Sequence, residues 1–135
     1  MVAAATITVA LLDFLKEKLK DYGISNFYQE IRDDSKTKSI AIYSLSNTAN
    51  TQNFGTQICH KADYQIQVVF GKSVSETEAL ADYIYKDIVM SNEKYAQNDY
   101  QFYITPLQNR VPRYLGTLGN GCHKYGIDVL VTYNK

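Results

Sequence analysis

The chain has 135 residues, 45% of them hydrophobic, with two cysteines and fourteen basic residues against fourteen acidic ones. That length suits one domain, residues 1–135, able to bury a core without disulfide or metal staples. With the charges interspersed and no basic tract, composition speaks against sequence-independent nucleic-acid binding and against docking on anionic membranes.

Twelve tyrosines stand against five phenylalanines and no tryptophan. Tyrosine suits half-buried sheets and protein interfaces, so this enrichment points either to a protein-facing surface or to a habit of the source genome.

Val2 to Leu12 is apolar apart from Thr6 and Thr8, but it lacks the positively charged start of a secretory signal and is too short to span a bilayer. From Ile7 onward, Leu11, Leu12, Leu15, Leu19 and Tyr22 recur at helical spacing. This predicts a cytosolic amphipathic helix from about Thr8 to Tyr22, capped by Thr6 or Thr8 and ended by Gly23 in the left-handed conformation. A short strand at Asn26–Ile31 and a polar turn follow, then a clearer strand in "SIAIYSL". Ser46–His60, rich in Asn, Thr and Gln, carries little helix or strand signal and reads as a long loop.

"KADYQIQVVF" alternates with Ala62, Tyr64, Ile66, Val68 and Phe70 on one face, the period of a strand with one buried side. "SETEALADYIYKDIVMSN" predicts the second helix, with Ser75 and Glu78 as a capping box and a stripe of Leu80, Ile84 and Ile88 widened by Tyr83 and Val89. "YQFYITPL" reads as a strand ended by Pro106, "QNRVPRYLGTLGNG" as a second exposed loop, and "CHKYGIDVLVTYN" as the last strand. Tyr125, Ile127, Val129, Val131 and Tyr133 share one of its faces. The order α-β-β-α-β-β predicts an α+β fold: a mainly antiparallel or mixed sheet of four to five strands with two helices packed on one face.

Gly71-Lys72-Ser73 looks like the end of a phosphate-binding loop, but the residue five places before Gly71 is Ile66, inside the alternating strand, where a Walker loop needs glycine. Gly71 is better read as releasing the strand, with Ser73 or Ser75 capping the helix. Cys59-His60 and Cys122-His123 match a tetrahedral zinc site in number, yet neighbours in a strand point to opposite faces and finger spacings are absent. They read as free thiols in a reducing compartment, with a disulfide between them not required. Asp33-Asp34 falls in a turn signal, and Glu76 and Glu78 fall in a first helical turn, where acids favour the dipole. No nucleophile elbow is present. The expectation is therefore no enzyme, no cofactor and no metal. Arg110 and Arg113, flanking Val111-Pro112, are either solvated or available to carboxylates on a partner.

A helix, the strand "SIAIYSL", then "ADYQIQVVFGKSVSETEALADYIYKDI", "ITPL" and "PRYLGTLGNGCHKYGIDVLVTY" together resemble the minor capsid and tail-terminator proteins of long-tailed bacteriophages and phage-tail-like particles. The likeness runs from about Ser39 to the end, on Gln65–Gly71, Ser75–Ile88, Pro112–Gly116 and Tyr125–Tyr133. Ser46–His60 departs from it, being longer and richer in Asn and Thr than the glycine-rich segment of such proteins.

The resemblance implies a structural subunit that forms a hexameric ring on the tail tube, stops its polymerisation and offers the joining surface to the head or collar. Its implied partners are copies of itself, the tail tube protein, the sheath protein and the head-tail connector. DNA passes only as cargo through the bore, and no membrane is involved. Such a subunit belongs to the virion or tail-like particle, assembled in the bacterial cytoplasm. Asn47, Thr51, Gln52, Asn53 and Phe54 in the first loop, with Arg110, Arg113 and Tyr114 in the second, are the expected interface residues. A head-side neck, stopper or head-completion protein is the alternative within this class; a small metal-binding protein or enzyme built on the Cys-His pairs is the alternative outside it.

Overall fold

A computed structural model describes residues 6–30, 32–45, 50–54 and 57–134, with the backbone alone for 50–54 and 57–59. The first helix, α1 (Ile7–Lys18), opens where the Thr6 hydroxyl accepts the Val9 N–H at 3.2 Å, supplying a partner for one of the orphan donors of the first turn. Leu11, Leu15 and Leu19 on its inner face are wholly buried. A 3-10 turn, Lys20–Tyr22, carries the chain to Gly23 at φ 72°. The second helix, α2 (Val74–Tyr83), starts from Ser73 rather than Ser75, because the Ser73 hydroxyl accepts the Glu76 N–H at 3.3 Å. A π-helical turn, Ile84–Val89, prolongs it and keeps Ile84, Ile88 and Val89 buried.

The expected sheet of four to five strands is overturned. Eight strands are found among the described residues: β1 (Asn26–Gln29), β2 (Lys38–Ser44), β3 (Asn50–Phe54), β4 (Gln57–Phe70), β5 (Tyr95–Gln97), β6 (Tyr100–Pro106), β7 (Arg113–Thr117) and β8 (His123–Asn134). They form one mixed sheet in the order β1-β2-β4-β8-β6-β5, with β3 added to β4 and β7 added to β8. The β1–β2 pair is parallel and the other pairs are antiparallel.

Three strands account for the difference, and each lacks the alternation that betrays a half-buried strand. β3 lies in the Asn- and Thr-rich stretch read as a loop, β7 in the second stretch read as a loop, and β5 has only three residues. Backbone pairing holds them: Asn50 to Phe54 pair with Lys61 to Gln57, and Arg113 to Thr117 pair with Gly126 to His123 across a bulge.

Both helices pack on one face of the sheet. Their buried residues join Ile40 and Ile42 of β2, Tyr64, Ile66 and Val68 of β4, and Ile127, Val129 and Val131 of β8 in one core. Each fully buried Leu or Ile in it contributes about 1.5–3 kcal/mol of apolar transfer energy.

The element order repeats itself. Residues 7–70 run helix, helical turn and four strands, and residues 74–134 run the same series with one further 3-10 turn, Leu107–Asn109, between β6 and β7. The sheet reads alike from its middle outward, β4-β2-β1 on one side and β8-β6-β5 on the other. In each half a long strand is flanked by two shorter ones along the same edge: β2 and β3 beside β4, β6 and β7 beside β8. The halves differ in their outermost pair, parallel for β1–β2 and antiparallel for β5–β6.

Gly71 answers what Gly71-Lys72-Ser73 is for. At φ 82° it turns the chain out of β4, and its N–H is spent on the Thr37 carbonyl at 2.6 Å. With the Ser73 hydroxyl engaged on the helix start, the segment joins a strand to a helix rather than forming a phosphate cradle.

Candidate functional site

Residues of β8 alternate between the helix side, where Ile127 and Val129 lie, and the opposite face, where Gly126 and Asp128 lie. Asp128 is only 3% exposed, and a carboxylate there needs partners. Its Oδ1 accepts from the Gln65 side-chain amide at 3.0 Å, and its Oδ2 accepts from Arg110 Nη1 at 2.8 Å. Arg113 Nη1 lies 3.2 Å from the same Oδ2. Burial by itself raises the Asp128 pKa, but the Arg110 and Gln65 hydrogen bonds and the two guanidinium charges outweigh it and hold the carboxyl below its ordinary range.

The network runs on in both directions. Gln67 donates to Gln65 Oε1 at 2.8 Å, and Arg110 Nη2 donates to Gln108 Oε1 at 2.9 Å. Beside it, Gly126 makes room for Leu115: a Cβ at that position would meet Leu115 Cδ1 at 2.7 Å. The segment between β6 and β7 is thereby pinned by Arg110 within it and by Arg113 at the start of β7. Gln108 and Asn109 sit at φ 52° and 57°, a left-handed conformation common for asparagine and unusual for glutamine. Val111, at the outer end of this segment, is 63% exposed.

The predicted contact residues therefore divide. Arg110 and Arg113 come together, on an internal carboxylate that the sequence reading had not singled out. Tyr114 turns to the other face, where its hydroxyl shares hydrogen bonds with Thr117 at 2.8 Å and His123 Nδ1 at 2.9 Å, and its ring meets Tyr125 edge-on. Thr51, Gln52, Asn53 and Phe54 belong to β3 rather than a loop; Asn47 lies outside the described residues. Thr51 pairs with His60, whereas Arg113 pairs with Gly126, itself opposite Gln67. The two groups are thus roughly 20 Å apart along β4, at about 3.3 Å per residue, and do not form one patch.

The paired carboxylates do local work. Asp33 accepts from the Ser35 N–H and hydroxyl, which lowers its pKa, and Asp34 pairs with Arg32. Glu78 accepts from the Tyr125 hydroxyl at 3.4 Å. The Cys-His pairs are held apart: His60 is opposite Tyr133, while His123 stands at the far end of that same strand. At about 3.3 Å per residue this separates them by roughly 30 Å, beyond a shared tetrahedral site or a Cys59–Cys122 disulfide.

A second feature lies on the helix side. Tyr22, Phe70, Glu76, Ala79 and Leu80 line a groove of about 280 Å³, walled by aromatic rings and carrying one carboxylate. Tyr22 and Phe70 meet edge-on at 6.3 Å, and Lys38 covers the Phe70 ring at 4.7 Å.

Among the described residues no helix is long and apolar enough to cross a membrane. Comparison with protein-family models and with curated proteins finds no match.

Proposed function

We propose that the chain is a structural assembly subunit, a tail-terminator ring protein that caps a phage or phage-like tail tube and presents the surface that joins it to the head or collar. The observation that carries this reading is the Arg110–Arg113 segment. A buried carboxylate fastens both ends of a short, cation-flanked segment to the sheet and leaves Val111 between them 63% exposed. Pre-ordering a protruding segment lowers the cost of docking it against another protein. The direct passage of β4 into α2, which carries the sequence resemblance, supports the same reading, and β3 offers a strand edge for pairing with a partner.

In this role the partners are further copies of the chain, the tube protein and, in contractile particles, the sheath, with the head-tail connector above. Its place is the tail end of a virion or tail-like particle. A formal net charge of zero suits a ring whose bore passes DNA without gripping it. The test is the mass of the purified protein in solution, then negative-stain imaging after mixing it with isolated tail tubes. A ring near six times 15.3 kDa, or a monomer that caps one tube end, is expected. A monomer or dimer that ignores tubes overturns the proposal.

A further inference from the structure

The tip and the groove belong to different parts of the molecule. The tip follows β6, and its arginines engage the face of the sheet turned away from the helices; the groove lies among the 3-10 turn after α1, the end of β4 and α2. Two unlike patches on one chain, if complementary, join copies head to tail, which is how a ring grows.

Their chemistry matches. Val111 is a branched apolar side chain, 63% exposed, between two guanidinium groups that are each about half exposed. Those two cations share one carboxylate, leaving a surplus positive charge at the tip. The groove has an apolar floor of Tyr22, Phe70 and Leu80, with Glu76 at its side and Lys38 over the Phe70 ring. Glu76 is the carboxylate of α2 that lines the groove, for Glu78 accepts from the Tyr125 hydroxyl and Asp82 pairs with Lys86. An apolar side chain escorted by cations is what such a groove accepts: the rings and Leu80 take the hydrocarbon, and Glu76 meets the surplus positive charge of the arginines.

We propose that the Arg110–Val111–Pro112–Arg113 tip of one copy seats in the Tyr22–Phe70–Glu76–Leu80 groove of the next, making this the repeating contact of the ring. The inference rests on the ring reading above and names its interface. In a Cys59→Ser, Cys122→Ala background, Val111→Cys with Ala79→Cys should yield a disulfide-linked ladder up to the full ring under mild oxidation, on tube ends or in solution. Either cysteine alone should yield dimers at most. Val111→Glu and, separately, Glu76→Lys should weaken self-association at least tenfold by analytical ultracentrifugation or lower the occupancy of tube ends. Both residues are exposed, so unchanged thermal melting shows that each variant still folds. A wild-type ring that survives both substitutions and gives no ladder overturns this interface and leaves the ring reading intact. A wild-type protein that neither associates nor caps tubes overturns both.

Discussion

Gln65 and Asp128 face each other across the β4–β8 pair at the centre of the sheet, with the Gln65 amide donating to the Asp128 carboxylate at 3.0 Å. Through Asp128 that contact reaches Arg110 and Arg113, so a bond between the two innermost strands helps to position the segment that leads into β7.

Replacing Asp128 should therefore disturb stability and the tip together. Asp128→Ala strips Gln65 of its acceptor and leaves two cations unpaired, though both are half in water and partly compensated. A loss of about 2–3 kcal/mol is expected, read as a lower urea midpoint. Faster amide exchange between residues 107 and 113 should accompany it. Unaltered exchange there would show that the tip is held by other means.

The same carboxylate sets an acid limit. Because its folded pKa is depressed, its stabilisation is complete above the unfolded value of about 3.9 and is lost as pH falls through the folded one. The stability gap between wild type and Asp128→Asn should stay level from neutral pH down to about 5, then narrow below about 4. A gap that persists unchanged to pH 2.5 would contradict the depressed pKa.

Gly126→Ala tests the close approach of Leu115. The new methyl would press on Leu115 and lie 3.3 Å from the Gln65 amide nitrogen, so one of them has to shift. A destabilisation of about 1–2 kcal/mol is expected. The Leu115→Ala, Gly126→Ala double variant should be more stable than the sum of the two single losses. Simple additivity by denaturant titration would place the strain elsewhere.

Thr8 and Tyr64 tie α1 to β4 through a buried 2.7 Å bond between their hydroxyls. Tyr64→Phe should cost about 1–2 kcal/mol by leaving the Thr8 hydroxyl without that partner. Thr8→Val combined with Tyr64→Phe should cost less than the two singles added. Equal, additive losses in thermal melting would mean that the bond contributes nothing of its own.

The parts of the fold readable from sequence were those whose apolar residues recur along one face. Leu11, Leu15 and Leu19 announce α1, the run Ala62 to Phe70 announces β4, and Tyr125 to Tyr133 announces β8. β3 and β7 escaped because their residues show no apolar alternation; only the neighbouring strand makes them strands. The capping box of Ser75 and Glu78 does not form: Ser73 caps α2 through the Glu76 N–H, and Glu78 accepts from the Tyr125 hydroxyl.

The candidate site was half legible. Arg110 and Arg113 stood out as cations either solvated or open to a partner's carboxylates, but the carboxylate they share lies 15 residues beyond Arg113, in the middle of β8. Asp128 itself was the overlooked signal. An acid within Gly126-Ile127-Asp128-Val129-Leu130-Val131 is expensive to bury unless cations come to it, and two were unassigned nearby. The groove of Tyr22, Phe70 and Leu80 had no comparable sign, because three separate elements build it.

The doubled plan of the sheet has a consequence for how the chain comes into being on the ribosome. β8 follows the other seven strands in sequence, yet it occupies the middle, between β4 and β6. Until it emerges, the long free edge of β4 and the inner edge of β6 both stand open to any other nascent chain. Closing the middle of the sheet waits on β8, through pairs far apart in sequence such as Gln65 with Asp128. A cell making many copies at once would need β8 to arrive before those edges find each other.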